Sequence, residues 1–119
     1  VGHTGILSAT MTAAETIDAC LTRLEQAVEE AGGAMLVTAD HGNCELMEDP
    51  ETKAPHTAHT IGTVPVVLVS PAINAGLHDG RLADLAPTVL DLMGLPQPTA
   101  MTGQSLLDLD DTARRRAAE

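Results

Sequence analysis

The sequence contains no phenylalanine, tyrosine or tryptophan. Aromatic side chains bury the most area per residue, so any core here is assembled from Leu, Val, Ile, Ala and Met. Such a core points to one cut from a larger body. Basic residues are scarce as well: six Lys and Arg stand against seventeen Asp and Glu, a net charge of −11. Phosphate backbones and anionic lipid surfaces are gripped by Lys and Arg, so nucleic acid and membranes are excluded as expected partners. The carboxylate surplus suits a protein that recruits cations. No apolar run approaches the roughly 20 residues that span a bilayer, and the N-terminus lacks a basic segment followed by an apolar signal core. A soluble, cytoplasmic chain is the expectation. Cysteine is limited to Cys20 and Cys44, with neither zinc-ligand nor redox-pair spacing. They read as two free thiols, buried or half-buried, rather than a disulfide.

What is present is otherwise ordinary. At 119 residues, 44% apolar and 19% charged, the chain fits a single folded unit spanning 1–119. It opens on Val1 rather than Met, so the expected start of the whole protein lies upstream.

Between Ser8 and Ala31, apolar residues recur at Ala13, Ile17, Cys20, Leu21, Leu24 and Val28, the spacing of one helical stripe, and Gly32-Gly33 are placed to end the helix. Residues 34–39 then read as a short apolar strand that delivers Asp40 at its C-terminal end. From Gly42 to Thr60 the chain is polar and carries two prolines, which predicts a loop with at most one helical turn. Residues 64–70 form a second expected strand, both strands being buried on their two faces. Residues 84–93 form a second helix with Pro87 in its first turn and Gly94 at its end. Beyond Gly103 the acidic residues come first and Arg114, Arg115 and Arg116 last, the charge order of a tail helix over 104–119. The sum is an α/β class, a mostly parallel sheet flanked by helices. Two short strands make too thin a sheet to stand alone, so part of it is expected to be missing.

Chemistry concentrates in two stretches, Thr38-Ala39-Asp40-His41-Gly42-Asn43 and Pro55-His56-Thr57-Ala58-His59-Thr60. Ligands of open parallel sheets bind beyond the C-terminal strand ends, where Asp40 and His41 sit. As adjacent residues leaving a strand they project differently, and so serve two neighbouring ions or one ion from two sides. Gly42 lets the backbone turn away. Carboxylate oxygen with imidazole nitrogen suits Mn²⁺ or Zn²⁺ better than Mg²⁺ or Ca²⁺, whose sites are nearly all oxygen. His3, between Gly2 and Thr4-Gly5, has no fold reason for an imidazole. His78 reads as a surface residue, and Met35, Met47, Met93 and Met101 as packing.

Those stretches, with Val1-Gly2-His3-Thr4-Gly5 before them and Asp49-Pro50-Glu51-Thr52 and Val64-Pro65 among them, resemble the C-terminal third of the cofactor-independent phosphoglycerate mutases, within the alkaline phosphatase superfamily. Leu82-Ala83-Asp84-Leu85-Ala86-Pro87-Thr88, Leu92-Met93-Gly94-Leu95 and Met101-Thr102-Gly103-Gln104-Ser105-Leu106 extend the resemblance to all but the tail. It implies a partial alkaline-phosphatase-like three-layer sandwich. It also implies an enzyme with two Mn²⁺, Zn²⁺ or Co²⁺ being alternatives, that interconverts 3-phosphoglycerate and 2-phosphoglycerate through a phosphoserine.

Carried over by position, His3 and His59 are ligands of one ion, and Asp40 and His41 of the other. His59 is preferred to His56 because the superfamily places a ligand histidine shortly before the strand that begins here at Val64-Pro65. The nucleophilic serine, a further aspartate ligand and the basic residues that hold the three-carbon phosphorylated acid would precede Val1. Ser8, Ser70 and Ser105 do not lie in the nucleophile's context. This stretch alone is expected to be inactive, to need the preceding part of the same protein, and to be prone to self-association. Other phosphomutases, phosphatases or sulfatases of the superfamily, and a non-catalytic metal-binding domain, are the competing readings.

Overall fold

The computed structural model describes residues 1–109. The chain is α/β, in the order α1 (Leu7–Glu30), β1 (Met35–Thr38), β2 (Val66–Val69), β3 (Gly76–Leu77), α2 (Leu85–Leu92) and β4 (Leu107–Asp108), with short 3-10 turns at Gly2–Thr4 and Leu82–Asp84. The described residues group into two compact units, one comprising Val1–Ala31 with Thr38–Pro65, the other Gly32–Val37 with residues 66–109.

In the first unit, α1 follows the expected register and stops where Gly32 takes up a left-handed φ of 67°. Thr10 is its one buried residue. The apolar stripe is poorly covered, Ile17 being 59% and Leu24 54% exposed, and Cys20 and Cys44 are free and exposed rather than buried. An apolar stripe of this width on a helix normally faces another element.

The second unit holds the core. Strand β1 pairs with β2, and β3 pairs with β4 antiparallel, Gly76 opposite Asp108 and Leu77 opposite Leu107. Neither β1 nor β2 is buried on both faces as expected: β1 is half-buried, and Val67 on β2 is 50% exposed. The expected tail helix does not begin at Gln104, because Leu107 and Asp108 form β4, and the rest of that stretch lies outside the described residues. Leu106 and Leu107 are the buried hydrophobics among the described residues; the side chains of Pro87 and Thr88 in α2 are fully buried, and the Thr88 hydroxyl accepts the Leu106 N–H. Pro87 sits in the first turn of α2, where a missing N–H costs nothing, and Gly94, with φ 65°, follows the last turn.

Asp84 organises this core. Its carboxylate accepts the backbone N–H of Arg81 at 2.9 Å and that of Gln104 at 2.9 Å, tying the start of α2 to the segment that leads into β4. These donors, the Gln104 amide first and the Arg81 amide next, hold the Asp84 carboxyl below its ordinary range. A depressed folded-state pKa contributes stability that is complete above the unfolded-state value and is lost as pH falls through the folded-state value. Urea midpoints compared at pH about 7 and about 3 should therefore fall more for the native chain than for Asp84→Asn, which starts lower and responds less to acid. Equal acid responses would contradict this role.

Candidate metal centre

The site lies within the first unit and is assembled by three segments. The first leaves β1: Thr38 donates its hydroxyl to the carbonyl of Pro65 at 2.8 Å, and Asp40 and His41 follow immediately. The second is residues 42–60. Instead of an irregular loop, it folds back on itself through isolated antiparallel bridges, Gly42 opposite Thr60 and Glu48 opposite Pro55, with the His56 N–H donating to the carbonyl of Met47 at 2.9 Å. The turn at its tip is built by Asp49, whose carboxylate accepts the N–H groups of Thr52 at 2.7 Å and Glu51 at 2.9 Å, and by Lys53 at a left-handed φ of 59°. Those bonds hold the Asp49 carboxyl below its ordinary range, the Thr52 amide contributing most. The polar composition concealed this hairpin, since its strands are too short for an alternating pattern to register. Its consequence is direct: pairing Gly42 with Thr60 carries His59 back beside His41.

The third segment is the turn bearing His3. Gly2 lies so close to the Asn43 side chain that a Cβ there would collide with its Oδ1, and the Nδ1–H of His3 donates to the carbonyl of Thr57 at 2.8 Å. The flexible surroundings of His3 in the sequence thus serve close packing.

Four of the side chains singled out from the sequence come together. His3 and His59 point their Nε2 atoms at each other across 3.2 Å. His41 stacks on His59, ring centres 3.6 Å apart and planes 15° from parallel. Asp40 Oδ1 stands 3.5 Å from His41 Nε2, and the His41 Nδ1–H donates to the carbonyl of Gly42 at 3.0 Å. His56 is not part of this group; its Nε2 is buried and has no hydrogen-bond partner.

The donor set fits a cation in two places. Two ligand atoms each about 2.1 Å from one ion, at angles between square and tetrahedral, are roughly 3.0–3.4 Å apart. The His3–His59 separation falls in that range and the Asp40–His41 separation at its edge. In each pair, a backbone carbonyl takes the Nδ1 proton of one imidazole, which leaves a lone pair on Nε2 when the ring is neutral and fixes its direction. Asp40 Oδ1 and His41 Nε2 face each other, an arrangement that a cation between them would bridge. Each pair supplies two protein donors, and no group of three or more His, Cys, Asp or Glu side chains is placed to hold a single ion among the described residues.

Sequence comparison places the chain in a family. Residues 1–97 match the model of the Metalloenzyme superfamily, most of the chain and all four of these side chains. The chain belongs to the Metalloenzyme superfamily. It is 65% identical over 108 residues, 91% of its length, to a 2,3-bisphosphoglycerate-independent phosphoglycerate mutase of Cereibacter sphaeroides. It is 63% identical over 107 residues to the enzyme of that description from Ruegeria pomeroyi. The chain spans 21% of the length of either relative. A crystal structure of Leishmania mexicana phosphoglycerate mutase at low cobalt concentration superposes on 92% of the chain and 23% of its own, with a TM-score of 0.81 at 32% identity. The family resemblance read from the motifs is borne out, and the chain fits a partial alkaline-phosphatase-like α/β fold. No helix among the described residues is long and apolar enough to cross a membrane.

Glu45 went unnoticed in the sequence. Its carboxylate accepts the Thr60 hydroxyl and, at 2.7 Å, the N–H of Asn43, and the Thr60 hydroxyl in particular holds its pKa below the ordinary range. A lone Glu in a polar stretch carries no signal; the hairpin is what gives it a position.

Proposed function

We propose that this chain supplies half of the two-ion centre of a phosphoglycerate mutase that interconverts 3-phosphoglycerate and 2-phosphoglycerate. The observation that carries the proposal is the pair of donor sets, His3 with His59 and Asp40 with His41, held side by side by one imidazole stack. His3 and His59 would hold one divalent ion, and Asp40 and His41 the other. The donors suit Mn²⁺ or Zn²⁺, and Mn²⁺ is proposed on the family resemblance; the cobalt of the Leishmania crystals is consistent with Co²⁺ as a substitute. When bound, such ions lower the pKa of a hydroxyl nucleophile and neutralise charge on a transferring phosphoryl group.

The chain's own residues prepare that centre. The Thr57 and Gly42 carbonyls accept the Nδ1–H groups of His3 and His41, which directs the Nε2 atom of each toward the proposed ions. The stacking of His41 on His59 fixes the distance between the two sets. Nothing among the described residues offers a cluster of Arg or Lys beside the centre for a phosphate and a carboxylate, so substrate binding and the serine nucleophile are assigned to the preceding part of the whole protein. The uncovered stripe of α1 supports a body that continues beyond these residues, and a cytoplasmic location is part of the same proposal.

The test is an assay of the whole protein with Mn²⁺ beside an assay of residues 1–119 alone. Interconversion by the former, abolished by chelation, and none by the latter is the expected result. Hydrolysis of other phosphate esters without interconversion would redirect the reading to a phosphatase of the same superfamily.

A further inference from the structure

Asp40 and His41 lie just before one side of the hairpin and His59 lies at the end of the other, and the backbone joins the two sides by the Gly42–Thr60 bridge, where the Thr60 N–H donates to the Gly42 carbonyl at 3.1 Å. Glu45 adds a second tie. One carboxylate oxygen accepts the hydroxyl of Thr60, the residue after His59; the other accepts the N–H of Asn43, two residues after His41. Gly42 leaves room for this. A Cβ at that position would collide with both Glu45 Oε1 and Thr60 Oγ1, so glycine here makes space for the carboxylate rather than a sharp turn.

From this geometry we infer that Glu45 is a positioning residue, which holds the His59 strand in register with Asp40 and His41 and so sets the spacing of the two ion sites. The inference rests on the metal reading above. The carboxylate is exposed, and exposed hydrogen bonds and ion pairs contribute little to global stability. Its effect should therefore be local. Residues that orient metal ligands typically change affinity by roughly 10–100-fold when removed.

Glu45→Ala removes both ties. Glu45→Gln keeps one acceptor oxygen and loses the other, because its amide nitrogen cannot accept the second donor. Two readouts on the 119-residue chain separate positioning from plain structure. In calorimetric titration with Mn²⁺, affinity should fall roughly 10–100-fold in Glu45→Ala and by less in Glu45→Gln, while metal-free thermal midpoints stay with that of the native chain. In metal-free proton NMR, ring-current shifts from the His41–His59 stack, referenced to His78, should shrink in the same order.

Unchanged affinity together with unchanged ring shifts would overturn the inference. So would a loss of affinity matched by a drop in the metal-free midpoint, which would make Glu45 a general structural residue. If the native chain binds no Mn²⁺ but the ring shifts respond to Glu45, the metal reading fails and the positioning role stands.

Discussion

His59→Ala in the whole protein is expected to lower the rate of phosphoglycerate interconversion by roughly a thousandfold or more, while His56→Ala costs less than about tenfold. A bound cation is worth several kcal/mol of charge stabilisation in phosphoryl transfer, and each tenfold in rate corresponds to about 1.4 kcal/mol. His59 faces His3 and stacks on His41, whereas His56 contributes its backbone N–H to the hairpin and keeps its Nε2 buried away from the donors. The rate of His59→Ala should recover in part at high Mn²⁺, since the remaining imidazole of the pair still binds. The two histidines are close in sequence and alike in surroundings, so the paired variants test the choice between them. A larger loss from His56→Ala would reverse the assignment.

Thr88→Val should destabilise the second unit by about 2 kcal/mol, with a drop of very roughly 10 °C in thermal midpoint. Thr88 is fully buried, donates its hydroxyl to the Asp84 carbonyl at 2.7 Å and accepts the Leu106 N–H at 2.9 Å. Valine fills nearly the same volume, so no cavity term enters; the cost is a buried N–H left without a partner. That N–H lies where the chain enters β4, so the β3–β4 pairing should loosen with it. Differential scanning calorimetry of the two forms measures the effect, and midpoints within a degree or two of each other would show that water replaces the hydroxyl at no cost.

The two helices were legible because their signals are local. The α1 stripe recurs at helical spacing over 24 residues, and Gly32 and Gly94 end their helices in left-handed conformations only glycine adopts freely. The degree of burial was not legible, since an apolar run shows that a segment can be buried and not what covers it. This is why β1, β2 and the α1 stripe are more exposed than their composition implied. Strand β4 was missed because two residues paired across a long separation leave no periodicity of their own. Asp40, His41 and the histidines of residues 55–60 were readable as chemistry; the resemblance added His3, chose His59 and divided the candidates into pairs. The structure adds what sequence spacing does not contain: the hairpin that returns His59, the Thr57 and Gly42 carbonyls that fix two imidazoles, and the Glu45 carboxylate between the strands.

The central claim is that these residues hold two divalent ions in two adjacent pairs. A calorimetric Mn²⁺ titration of the chain, repeated with Asp40→Asn and His59→Ala, tests it most directly. Two weak sites are expected, because each pair supplies only two protein donors, with Asp40→Asn weakening one and His59→Ala the other. Binding indifferent to both substitutions, or no binding at all, would contradict the account.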